Sequence, residues 1–314
     1  MKYFNLPGYI MYKNYLVFIG LIQFIFLFAP YAAAQEKSTE VLKPVGAEAF
    51  EVLRQFFDYD KNIPLETKIV DRIDKQEYIR EKFVFRGPRS KVPGYLAIPK
   101  NISAPVPCVL LLHGITGSKE NWWDENSPMG QLTRQLLASG FAVLTLDAEY
   151  HGERLANNNF ESPIELIKRE WFVQSRDMMI QTVIEYRRVI DLLAARPDID
   201  STRIGVIGYS MGGVMAFNLS AADPRIKASV SCVSPVISVP YLPTAVHNSA
   251  PYISQPMLML MADKDEKNYT KDQAQQLYNI TGSKIKELYF YDSGHILPAE
   301  WINRAAEWME KYLR

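Results

Sequence analysis

The chain has 314 residues, with 35 basic and 35 acidic side chains and a hydrophobic share of 48%. This is the balance of a globular protein with a large core, and it carries no charge excess that would favour nucleic acid or another polyanion. Two domains would fit in this length, although α/β folds of the same size commonly form one.

The chain opens with Lys2 and Lys13 ahead of an apolar run, Tyr15 to Phe28, then Ala32-Ala33-Ala34, with no acidic residue before Glu36. That order predicts a signal peptide over residues 1–34 and a periplasmic or secreted product. An uncleaved membrane anchor is the alternative. Against it stand the shortness of the run and the presence of Gly20 and Gln23. Loss of residues 1–34 removes two lysines and no acid, leaving a mildly negative chain suited to small or neutral substrates.

Residues 35–75 read as a helical extension, because Phe50, Leu53, Phe56 and Phe57 recur at near-helical spacing between Ala47 and Phe57. Tyr78 to Phe85 alternates charged and apolar residues, and Val92 to Ile98 follows after Gly87-Pro88, which predicts an antiparallel pair at a sheet edge. From Cys108 to Leu112 the run is continuously apolar, the mark of a strand covered on both faces. A helix at Gly130–Ser139, a strand at Phe141–Leu146 and a long helix from Val173 to Ala195, ended by Arg196-Pro197, come next. Further strands are expected at Arg203–Ile207, Ala228–Val233, Met257–Met261 and Lys286–Tyr291, with helices at Val214–Ala222, Lys271–Tyr278 and Pro298–Tyr312. This alternation predicts an α/β domain over residues 76–314, with a mainly parallel sheet and helices on both faces.

Two stretches, 150–171 and 234–255, are too long for simple connections and follow strand C-termini, where open α/β sheets bind ligands. They are expected to wall or cover a pocket. Cys108 and Cys232 fall on strands that should flank the strand at Arg203–Ile207, two inter-strand spacings or roughly 10 Å apart. Export would permit a disulfide, but that separation speaks against one, so both read as buried thiols.

The chemistry centres on Gly208-Tyr209-Ser210-Met211-Gly212, a G-x-S-x-G sequence between an apolar strand and a helix. A small-residue loop would satisfy the letters alone. With both flanks present, the pattern points to a sharp turn that lifts the Ser210 hydroxyl clear of the sheet as a nucleophile. A serine needs a base, and where such a turn serves catalysis an acid and then a histidine follow in the chain. Of the four histidines only His247 and His295 come after Ser210, and only His295 follows a buried-type strand on a tight turn, in Asp292-Ser293-Gly294-His295. The acid should hang from the strand end at Ala262-Asp263-Lys264-Asp265, with Asp265 preferred on reach and Asp263 the alternative.

A tetrahedral intermediate needs donors already aimed at its oxygen. The Met211 N–H at the helix start is one candidate, and the Ile115 N–H in His113-Gly114-Ile115-Thr116-Gly117 is the other. His113 is then a structural residue of that loop. Trp122, Trp123, Tyr150, Tyr241 and His247 are candidate pocket residues, with core packing an equal account of each aromatic. No cofactor or metal is expected: the histidines are scattered, and neither H-E-x-x-H, nor paired cysteines, nor a phosphate-binding glycine loop occurs.

With the strand, the HG loop, the nucleophile turn, the acid and the histidine in this order, the chain resembles the α/β-hydrolase superfamily across residues 76–314. Asp147-Ala148-Glu149-Tyr150-His151-Gly152-Glu153-Arg154 is similar to the D-x-x-x-H-G-x-R loop of dienelactone-hydrolase-like and prolyl-oligopeptidase-like esterases. Leu111-Leu112-His113-Gly114 and the glycine-flanked Ser210 agree with it. The resemblance implies a serine esterase acting through an acyl-enzyme on a small-molecule ester, with the Asp147–Arg154 loop a structural latch. Dienelactone hydrolases proper carry cysteine where this chain has Ser210, and the oligopeptidase propeller is absent, so neither of those substrates is implied. An amidase or sugar-ester deacetylase on the same triad is the rival. A non-catalytic binding fold is a third reading, whose mark would be a missing triad member.

Overall fold

The structure, a computed structural model, describes residues 41–100, 102–103, 105–236 and 243–314. The expected signal at 1–34 and the pocket candidate Tyr241 lie outside them. The described strands are β1 (Lys68–Asp74), β2 (Tyr78–Arg86), β3 (Lys91–Pro99), β4 (Val106–Leu112), β5 (Ala142–Leu146), β6 (Ile199–Tyr209), β7 (Ile226–Cys232), β8 (Met257–Ala262) and β9 (Lys286–Tyr291). They form one sheet in the order β1-β2-β3-β5-β4-β6-β7-β8-β9. From β5 to β9 all neighbours are parallel, whereas β1, β2 and β3 are joined antiparallel to one another and to β5. The fold is the mostly parallel α/β arrangement with an antiparallel edge that the alternation predicts.

The helices are α1 (Ala47–Arg54), α2 (Pro128–Ala138), α3 (Ile164–Lys168), α4 (Phe172–Ala194), α5 (Met211–Ala222), α6 (Val246–Ser249), α7 (Lys271–Ile280) and α8 (Trp301–Leu313). All seven residues of β4 are buried, and its side chains divide by the period of two. Cys108, Leu110 and Leu112 enter a core with Val183 and Ile190 of α4 and Phe217 of α5. Val109 and Leu111 enter a second core with Leu132 and Leu136 of α2 and Trp301 and Met309 of α8. Burial on both faces is therefore what the unbroken apolar run encodes.

The antiparallel edge has three strands where the alternation signals two. The additional strand, β1, is exposed along nearly its whole length, so neither of its faces carries an apolar stripe to announce it. The reading of Ala47–Phe57 as a helix is met by α1 and a 3-10 turn at Gln55–Phe57. Phe50 of α1 stacks on Tyr252 with ring centroids 3.8 Å apart. Cys108 on β4 and Cys232 on β7 are free and buried, with β6 between them, and burial pushes both thiols up. Among the described residues no helix is long and apolar enough to cross a membrane.

The two long stretches differ. Residues 150–171 hold a 3-10 segment, Gly152–Asn158, and α3, with Phe160 and Trp171 exposed. The described part of 234–255 is packed into the body: Ser249 Oγ donates to Asn218 Oδ1 of α5 at 2.7 Å, and Asn218 Nδ2 donates to the Thr244 carbonyl at 3.1 Å.

Candidate active site

Ser210 stands between the end of β6 and the first residue of α5, with φ 56° and ψ −117°. A non-glycine residue at positive φ is strained, and it holds here because its surroundings leave no alternative. Its N–H donates to the Cys232 carbonyl at 2.8 Å, tying the turn to β7. A methyl group on Gly208 would collide with the carbonyl of Gly212, and one on Gly212 with the carbonyl of Leu112, so both glycines permit the close approach of α5 to the strand ends.

His295 lies in the loop after β9, and its Nε2 is 2.8 Å from Ser210 Oγ. Its Nδ1 is 2.6 Å from Asp265 Oδ2, so the ring sits between hydroxyl and carboxylate. Asp265 follows β8 and is 6% exposed. The structure thus brings together Ser210, Asp265 and His295, which are separated by up to 85 positions in the chain. Asp263, two residues earlier, does not join them; its N–H donates to the Tyr291 carbonyl at 3.0 Å and shapes the strand end.

The loop after β4 runs beside the serine: a methyl group on Gly114 would touch Ser210 Cβ at 3.4 Å. Ile115 therefore follows a glycine that lies beside the serine. Met211 is the first residue of α5, so its N–H has no acceptor within the helix. His113 is buried, donates from Nδ1 to the Gly114 carbonyl at 2.8 Å, and accepts the Ala148 N–H at Nε2 at 3.1 Å. Burial, reinforced by the His151 ring 4.9 Å away, pushes its pKa down to about 3, so it is neutral and structural.

The Asp147–Arg154 segment locks this loop from the other side. Lys119 Nζ pairs with Asp147 Oδ2 at 2.8 Å, His151 Nε2 meets the Ile115 carbonyl at 2.9 Å, and Arg154 pairs with Glu185 of α4 at 2.6 Å and with Glu149. A buried ion pair of this kind costs desolvation and returns little net stability, but it fixes geometry.

The pocket candidates fare unevenly. Trp122 is wholly buried in the core with Leu132 and Leu136, so it is a packing residue rather than a wall facing substrate. Trp123 is wedged at the antiparallel edge, edge-on to Tyr95 at 6.0 Å and donating to Thr145 Oγ1 at 3.2 Å. His247 is 1% exposed on α6 and belongs to the packed interior. Tyr150 opens onto a cavity of about 440 Å³ that it shares with Arg89, Trp171, Phe172 and Asp177. A separate cavity of about 610 Å³ is lined by His295, Asp265 and Asn268 with Lys264, Glu266 and Lys267.

Sequence reasoning misses two residues of this constellation. Tyr209 donates its hydroxyl to the His295 carbonyl at 2.9 Å and accepts the Leu297 N–H at 2.9 Å, spanning the histidine loop. Asn268 donates Nδ2 to Asp265 Oδ1 at 2.8 Å. Tyr209's place beside the serine is the one available signal; Asn268 carries none. Among the described residues no group of three His, Cys, Asp or Glu side chains could hold a metal.

The model of the dienelactone hydrolase family matches residues 92–292. YtaP of Bacillus subtilis (strain 168) is 27% identical over 195 residues, covering 59% of this chain and 63% of that protein. The 20-hydroxy-prefusarin hydrolase FUS2 of Gibberella moniliformis is 28% identical over 149 residues, covering 46% and 31%. The chain thus spans less than two thirds of these relatives. Among solved structures, acetyl xylan esterase 1 from Thermoanaerobacterium sp. JW/SL YS485 superposes with a TM-score of 0.68 at 16% identity, over 86% of this chain and 95% of that one. A cold-adapted esterase from an Arctic intertidal metagenomic library gives 0.63 at 21% identity, over 78% and 98%. The structural likenesses establish the α/β-hydrolase fold, and the family match, which takes in Ser210 and Asp265 and ends three residues before His295, establishes that this chain belongs to the dienelactone hydrolase family.

Proposed function

We propose that the protein hydrolyses carboxylic esters of small molecules through an acyl-enzyme on Ser210. The observation that carries this reading is the unbroken row from Ser210 Oγ to His295 Nε2 at 2.8 Å and from His295 Nδ1 to Asp265 Oδ2 at 2.6 Å. Ser210 Oγ attacks the ester carbonyl while His295 Nε2 takes its proton, and Asp265 holds the ring in the tautomer that leaves Nε2 free to accept. The Ile115 and Met211 N–H groups receive the oxyanion. Collapse of the tetrahedral intermediate breaks the bond to the alcohol, which leaves with the proton from His295. Water, deprotonated by His295, then releases the acid and restores Ser210. The family, and the hydrolases and esterases it resembles, support an ester substrate.

Ser210→Ala should lower hydrolysis of p-nitrophenyl acetate by at least about 1,000-fold while the thermal unfolding midpoint stays within a few degrees. It should also abolish labelling by a fluorophosphonate. Undiminished turnover would refute the assignment. The charged start, apolar run and Ala32-Ala33-Ala34 support export with loss of the first 34 residues. An N-terminus at Gln35 on protein recovered from the periplasm or medium is the expected outcome; an intact Met1 in a membrane fraction overturns it.

A further inference from the structure

Asp265 has two carboxylate oxygens, and each has a separate partner. Oδ2 faces His295 Nδ1 at 2.6 Å, and Oδ1 accepts Asn268 Nδ2 at 2.8 Å. The same amide nitrogen lies 3.1 Å from His295 Nδ1. Two donors, one imidazole and one amide, therefore converge on one carboxylate from adjacent directions. The reverse amide orientation would set its carbonyl oxygen against Oδ1, so the charge of Asp265 itself selects the donor.

Asn268 is held on its backbone as well. Its N–H donates to the Asp265 carbonyl at 3.0 Å, and its carbonyl accepts the Val236 N–H at 3.1 Å, so the turn after β8 is fastened to the segment that follows β7. We infer that Asn268 is a positioning residue of the proposed triad, fixing the rotation of the Asp265 carboxylate and through it the plane and tautomer of His295. This rests on the esterase reading of Ser210, Asp265 and His295.

A carboxylate bonded at one oxygen swings about its last torsion; bonded at both, it does not. The amide also presents its positive end to the imidazole at 3.1 Å, a repulsion toward positive charge that develops on the ring. Removing it should move the acid limb of the pH–rate profile to higher pH. Other charged or titratable groups around His295 and Asp265 include Lys264 with its partner Asp292, Glu266 and Lys267 on the cavity wall, Tyr209 at 6.2 Å and Tyr269 beside Asp265, and none of them is altered by a substitution at Asn268.

The test compares Asn268→Ala and Asn268→Asp with wild type and Ser210→Ala on p-nitrophenyl acetate from pH 5 to 9, alongside thermal unfolding. Asn268→Asp sets a second carboxylate beside the ring; its acid limb should rise by about one pH unit or more, with kcat at pH 7 down at least about tenfold and KM within twofold. Asn268→Ala should lower kcat about tenfold with a smaller shift of the same sign. A purely structural role would lower the unfolding midpoint and leave the pH profile in place. Unshifted profiles in both variants, or wild-type kcat in a folded Asn268→Asp, overturn the inference while leaving the esterase reading standing. A wild-type protein that neither hydrolyses the ester nor reacts with a fluorophosphonate sinks both.

Discussion

The two aspartates after β8 carry the sharpest lesson at the scale of single residues, because only their surroundings differ. Asp265 reaches His295 at 2.6 Å, whereas Asp263 serves the strand end through its backbone. Asp265→Asn should therefore cost kcat a factor of about 1,000 to 10,000 by favouring the wrong imidazole tautomer, and Asp263→Asn should leave it within about threefold. Steady-state kinetics on p-nitrophenyl acetate separate the two. The preference for Asp265 was available from the letters, since the acid must travel past the strand tip before it can turn under the ring. Asn268 was not available in that way. Its contribution depends on which of several exposed polar side chains in the turn points inward, and no spacing rule encodes that. Trp122 shows the opposite failure: an aromatic residue in a loop after a strand reads the same whether it faces a cavity or a core, and here it fills the core.

At the scale of elements, the site depends on how the ends of β4, β6, β8 and β9 are cross-tied. Tyr209, the last residue of β6, bonds both sides of the loop that carries His295, at the His295 carbonyl and the Leu297 N–H. Tyr209→Phe removes both bonds without opening a cavity. It should lower stability by about 1–2 kcal/mol and kcat by about tenfold, measured by urea unfolding and ester turnover. The parallel strands were legible because burial on both faces demands continuous apolar runs, and the order of the proposed triad was legible because the serine and histidine each follow a strand end. The edge strand β1 was not, since Ile69 and Val70 are both about half exposed at 54% and neither face forms a stripe. The packed portion of residues 243–255 was also hidden: Val246, Ala250 and Ile253 enter the core beside Phe217 of α5, but they are interleaved with Ser249, which bonds Asn218, so no apolar stripe announces them.

For the molecule as a whole, His113 links stability to acidity. Its folded pKa is about 3 against 6.5 when unconstrained. Above pH 6.5 both states are neutral at this position. Below it the unfolded chain takes up a proton that the folded chain refuses, so stability falls between pH 6.5 and about 3, by at most about 1.4 kcal/mol per pH unit. Urea midpoints at pH 7, 6, 5 and 4 should show this fall, and it should be shallower in His113→Asn. The two cores add one more consequence. Because β4 sends Leu110 to one and Leu111 to the other, and β6 divides Val206 and Ile207 likewise, neither layer of helices can detach without stripping the shared strands of half their cover. Heating should accordingly give a single calorimetric melt in which both helical layers are lost together, while the amide protons of the outermost strand exchange with solvent long before it.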